Sequence, residues 1–76
     1  MPHVTVKMYA GRSDRQKSAI AEEITKAIMK AANCGEESVS VSIEDVEPDD
    51  WVEKVYKPDI LDKPDSLCKK PGCNPL

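Results

Sequence analysis

The sequence predicts an α/β (α+β) fold: a single βαβ unit with parallel strands, dimerising into a four-stranded sheet with two helices on one face. Three observations predict it. Residues 3–9 alternate in polarity, residues 13–35 carry a capped helical stripe, and residues 38–46 alternate again. A chain of 76 residues makes one small domain, 1–76, with a core over about 2–52 and a tail over 53–76.

In "HVTVKMY", Val4, Val6 and Met8 point one way, and His3, Thr5, Lys7 and Tyr9 the other. Period two with β-branched residues reads as a half-buried strand. Gly11 marks the break after it. Ser13 is a good N-cap with Gln16 three residues on, a capping box, and Asp14 suits the positive end of a helix. Ile20, Ile24, Ala27, Ile28 and Ala31 form an apolar stripe, and Asn33 to Gly35 supply the stop. In "SVSVSIEDV", Val39, Val41 and Ile43 oppose Ser40, Ser42 and Glu44, giving the second strand. The long helical crossover lets the two strands run parallel, with a right-handed connection.

"PDDWVEKVY" reads as a short helix that puts Trp51, Val52 and Val55 on one face. Pro58, Pro64, Pro71 and Pro75 then punctuate a tail expected to be mostly turn and extended chain. One helix covers one sheet face. The other face needs cover, which a second copy of the chain is expected to give.

Composition bounds the function. The net charge is 11 − 14 = −3, which disfavours a nucleic-acid surface. No run reaches the roughly 18 apolar residues of a membrane span. The three cysteines, Cys34, Cys68 and Cys73, are an odd number and no apolar signal segment opens the chain. A reducing cytoplasm is therefore the expected setting, without disulfides. Cys68 and Cys73 lack the paired spacing and four-ligand set that zinc favours, so no metal is expected. Aromatics are sparse, namely Tyr9, Trp51 and Tyr56, which makes each one worth locating.

Pro2 is the most informative residue. Behind Met1 it is an imide with nothing to titrate; once Met1 is removed it is a stiff secondary amine. Taken alone, a proline at a strand start is ordinary. Arg12, between strand and helix, has a planar fork that suits a carboxylate. Its structural alternative is a loop arginine paired with Asp14 or a chain terminus.

Met-Pro, the alternating strand, "GRSDRQK" opening a long amphipathic helix, "SVSVSIEDV" and then Trp51 together resemble the 4-oxalocrotonate tautomerase family. The resemblance runs from residue 2 to about 51. The tail with "LCKKPGC" is similar to the phenylpyruvate-type enol tautomerase branch. This resemblance implies a cofactor-independent keto–enol tautomerase in which Pro2 is the catalytic base, Arg12 holds the substrate carboxylate and Trp51 walls the pocket. The strand position where diacid-using members keep a second arginine is Ser40 here, which is itself a candidate substrate-binding residue. The missing arginine implies a monocarboxylate, such as an aryl enolpyruvate or a 2-hydroxy-dienoate, in preference to a diacid. A dimer is implied by the tailed branch and a hexamer by shorter members.

The chemistry fits that implication. A proton-moving base should have a conjugate acid near the working pH. A neighbouring cation and an apolar pocket both lower an amine's value, and Arg12 and Trp51 are the candidates to supply them. Arg12 would also stabilise a developing enolate. Hydration or dehalogenation of an unsaturated acid is a second reading, with Glu44 or Asp45 activating water. A non-catalytic oligomeric module that binds an acid or a protein is a third. His3 reads as a surface or subunit-contact residue, Lys69 and Lys70 as a solvated turn, and Cys34 as inert.

Overall fold

The computed structural model describes residues 1–69, 71 and 72. Strand β1 (His3–Tyr9) leads into helix α1 (Asp14–Ala32), and strand β2 (Ser40–Val46) follows. β1 and β2 pair in parallel with His3 opposite Ser40 and Tyr9 opposite Val46, so the expected βαβ unit is present. β2 begins two residues later than the polarity alternation suggests, because Glu36–Ser38 form a 3₁₀ turn instead.

The capping box forms. The Gln16 N–H donates to Ser13 Oγ at 3.1 Å, and the Ser13 N–H donates to Gln16 Oε1 at 2.9 Å. Two otherwise unpaired donors at the helix start are thereby satisfied. At the other end Asn33 adopts the left-handed conformation, φ 55°, and closes the helix as the sequence suggests. The inward stripe is Ile20, Ile24, Ile28 and Met29, whereas Ala27 and Ala31 face solvent.

The two sheet faces differ. Lys17 on α1 pairs with Asp45 on β2 at 2.5 Å, so α1 lies over the face of Val4, Val6, Val41 and Ile43. The opposite face carries His3, Thr5, Lys7 and Tyr9. One end of it is covered by the chain itself, through a π-helix over Val52–Leu61. The expectation of turn and extended chain after Tyr56 is thus corrected for residues 57–61. Pro58 lies inside this helix. It cannot donate a backbone hydrogen bond, and in an α-helix its ring would clash with the carbonyl four residues back. The segment takes the wider π turn instead, closed by Asp62 N–H donating to the Lys57 carbonyl at 2.9 Å.

Among the described residues Val46, Val55 and Tyr56 are the buried apolar ones, and α1 buries none of its own. Two of these three come from the π-helix. The radius of gyration is 13.8 Å, against about 11 Å for a self-contained domain of this length. Much of the apolar stripe of α1 stays half-exposed in a single chain, which leaves surface for another copy to cover.

Candidate active site

Pro2 enters β1 half-buried, behind a fully exposed Met1. Its carbonyl accepts from the Ser40 N–H at 3.2 Å, which ties the chain start to β2. His3 Nδ1 and Ser40 Oγ hydrogen-bond at 2.6 Å, and Thr5 Oγ1 contacts both His3 Nε2 and Ser42 Oγ at 3.4 Å. Pro2 therefore sits at the head of a ladder of small polar groups. Ser40 presents a hydroxyl where the resemblance places an arginine, and that hydroxyl is engaged by His3.

Arg12 and Trp51 sit elsewhere. The seven residues of β1 separate Pro2 from this second cluster by about 20 Å at strand rise. The expectation that Arg12 and Trp51 flank Pro2 does not hold within one chain. Pro2 and Ser40 occupy the N-terminal end of β1, and Arg12 and Trp51 the C-terminal end.

At that C-terminal end the chain turns through Gly11, whose φ of +120° an L side chain rarely adopts. The turn brings Arg12 back, so that Arg12 Nη1 donates to the Tyr9 carbonyl at 3.3 Å. Among the described residues Arg12 has no carboxylate partner. The N-terminus of α1 begins beside it and adds to the positive field. The Tyr9 and Trp51 rings meet edge to face. Arg12, Tyr9, Trp51, Tyr56 and Ile60 line a cavity of about 390 Å³, together with Lys7, Met8 and Pro71. All three aromatic residues of the chain converge there. An apolar cavity with a few polar groups at fixed positions is the usual form of a small-molecule site.

Lys7 also reaches this cavity, but its ammonium is held by Asp59 of the π-helix at 2.6 Å. The hydrogen bond to Asp59 raises the Lys7 pKa above its ordinary 10.5, helped by the charges of Asp59 and Glu44 and opposed by partial burial. Of the two carboxylates considered for activating water, Asp45 faces α1 and is paired with Lys17. Glu44 shares the face of Ser40 and lines a second groove with Thr5, Lys7 and Asp59.

Cys34 is half-buried and Cys68 exposed, both as free thiols, and Lys69 is exposed. Lys70 and Cys73 lie outside the described residues. Among the described residues no three His, Cys, Asp or Glu side chains cluster as metal ligands, and no helix is long and apolar enough to cross a membrane. The sequence reading missed Tyr56, Ile60, Lys7 and Asp59 as site residues. The scarcity of aromatics was the one signal that pointed toward Tyr56.

Residues 2–55 match the model of a family described as tautomerase enzyme. Tautomerase PptA of Cronobacter sakazakii is 40% identical over 73 residues, 95% of this chain and 96% of its own length. A probable tautomerase of Xylella fastidiosa is 38% identical over 76 residues, 100% of this chain and 93% of its own. Among solved structures, a 4-oxalocrotonate tautomerase isozyme of Methylibium petroleiphilum superposes with a TM-score of 0.64 at 36% identity, covering 66% of this chain and 81% of its own. A protein characterised for trans-3-chloroacrylic acid dehalogenase activity superposes with a TM-score of 0.58 at 26% identity, covering 60% and 87%. The parallel strand pair, the capped crossover helix and these likenesses agree: the chain belongs to the tautomerase enzyme family, within the 4-oxalocrotonate tautomerase superfamily.

Proposed function

We propose that this tautomerase acts without a cofactor on the enol of a monocarboxylic 2-oxo acid, an aryl enolpyruvate or a 2-hydroxy-dienoate, with Pro2 as its base after removal of Met1. The neutral prolyl nitrogen takes the enol O–H proton. The electron pair closes the carbonyl at C2 and leaves C3, or C5 in a dienoate, to accept the proton back from the ring nitrogen. No electron is gained or lost overall. The observation that carries this reading is the cavity itself: one arginine without a carboxylate partner among the described residues, set beside an aromatic wall.

Because β1 separates Pro2 from Arg12, the complete site needs two chains. β1 and β2 each have an unpaired edge among the described residues. Isologous pairing of β1 with β1 of a second copy runs antiparallel, and sets the Pro2 end of one chain against the Arg12 end of the other. That arrangement gives the homodimer and its four-stranded sheet, and it restores the cation and apolar wall that an amine of lowered pKa needs. The half-exposed α1 stripe supports such an assembly, and light scattering should give a mass near two chains. Cytoplasmic residence, expected from the odd number of cysteines, belongs to the same proposal.

Turnover of enol phenylpyruvate tests the chemistry, with loss of Met1 verified by mass spectrometry. Pro2→Ala should lower kcat/KM by about 10²-fold or more, while the circular dichroism spectrum stays the same. Unchanged turnover in that variant would sink the reading. The dehalogenase likeness and the exposed Glu44 favour a second reading, hydration of a haloacrylate, for which halide release is the assay.

A further inference from the structure

Among the described residues two cations line the cavity, Lys7 and Arg12, yet they are not equivalent. Arg12 meets a backbone carbonyl. Lys7 meets Asp59, a full counter-charge, at 2.6 Å, with both side chains 32% exposed. Asp59 does not line the cavity. It approaches Lys7 from the adjoining groove, which it shares with Thr5, Glu44 and Val55. Its neighbour Ile60 lines the cavity with Tyr56. The π-helix thus presents an apolar wall to the cavity and a neutralising carboxylate to the lysine at its edge.

We infer that Asp59 sets the charge selectivity of this cavity: by holding the Lys7 ammonium it leaves Arg12, among the described residues of the chain, as the one cation offered to a ligand, so that an acid with one carboxylate and an apolar remainder is preferred over a dicarboxylate. A second carboxylate entering beside Tyr9, Trp51, Tyr56 and Ile60 would lose its hydration and find Lys7, the other described cation of the cavity, already paired. Release Lys7 from Asp59, and the same cavity offers two separated positive charges. Asp59, Tyr56 and Ile60 all lie beyond the region matched by the family model, residues 2–55, so the device belongs to the tail helix. The inference rests on the monocarboxylate reading above and adds a second structural cause to the serine at position 40. Asp59 acts through Lys7 and is a positioning residue.

The test is binding, read through Trp51, the single tryptophan, which itself lines the cavity. Cinnamate serves as the aryl monocarboxylate and trans,trans-muconate as the dicarboxylate, titrated by fluorescence quenching. The protein should bind cinnamate more tightly than muconate. Asp59→Asn should shift the ratio of the two Kd values toward muconate by about tenfold, the worth of one added charge-assisted hydrogen bond. Lys7→Met placed in the Asp59→Asn background should return the ratio to its starting value, which a purely structural role of Asp59 would not do. The inference is overturned if the ratio moves less than threefold in Asp59→Asn, if the shift survives without Lys7, or if the protein binds neither acid. The readout needs no turnover, so a protein that binds cinnamate selectively but converts no enol would sink the tautomerase chemistry alone.

Discussion

Tyr9 and Trp51 meet edge to face, with ring centroids 4.9 Å apart and planes at 85°. Tyr9 ends β1 and Trp51 leads into the π-helix, so this one contact closes the tail helix onto the sheet and builds a wall of the cavity. An edge-to-face pair is worth about 0.5–1.5 kcal/mol beyond the area it buries. Trp51 is only half-buried, so Trp51→Ala should cost about 2 kcal/mol, less than the 3–5 of a fully buried aromatic. Urea unfolding followed by circular dichroism measures it. Trp51→Phe should keep more than half of that stability, and a loss as large as that of Trp51→Ala would show that the indole serves something other than this ring contact.

The separation of Pro2 from Arg12 along β1 makes a sharper prediction about assembly. Pro2→Ala and Arg12→Ala should each be inactive or nearly so when purified alone. Co-refolded in equal amounts, they should recover about a quarter of normal turnover, because half of randomly mixed dimers are hybrids and each hybrid holds one intact site of two. Recovery requires that Pro2 and Arg12 come from different chains. A mixture as inactive as its components would place both residues in one chain's site, against the geometry of β1.

Gly11 turns the chain from β1 toward α1 and aims Arg12. A Cβ there would meet nothing within 4 Å, so space is not the obstacle; the φ of +120° is. Gly11→Ala should therefore cost about 1–2 kcal/mol through backbone strain. If the turn relaxes instead, Arg12 is re-aimed and KM rises with little loss of stability. Parallel measurement of the unfolding midpoint and of KM separates the two routes, and a variant unchanged in both would show that Gly11 is not the hinge of this turn.

Much of this architecture was legible because local signals were strong and agreed. Alternation set β1, and Ser13 with Gln16 set the start of α1. Ala27 and Ala31 were misread as inward because alanine is compatible with either side of a helix and carries little weight on either. The π-helix was hidden by Pro58, which argues for a turn in any window of sequence. The burial of Val55 and Tyr56 within this segment outweighs it. With that helix hidden, so were Tyr56 and Ile60, the tail side of the cavity, and Asp59, which meets Lys7 from the adjoining groove. The distance between Pro2 and Arg12 was a matter of counting strand residues, but motif spacing along the chain says nothing about which chain completes a site.

The Lys7–Asp59 pair makes a prediction about pH. The hydrogen bond from Lys7 to Asp59 is the main cause of the raised Lys7 pKa, ahead of burial, which acts the other way, and of the charges of Asp59 and Glu44. A folded-state pKa above the unfolded 10.5 means that the native chain binds this proton more tightly. The resulting stabilisation is fully present below about pH 10.5 and is lost as pH rises through the raised folded value. Lys26, raised by Glu23 and Glu22, titrates in the same alkaline window but is common to every variant at position 59. The urea midpoint of the unaltered protein should therefore fall more steeply than that of Asp59→Asn above about pH 10.5, and the two should run parallel below it. Both partners are about one-third exposed, so 1 M salt should shrink the difference. Equal slopes in the two proteins at low salt would mean that Asp59 does not hold the Lys7 proton in solution, and that the cavity offers ligands Lys7 as well as Arg12.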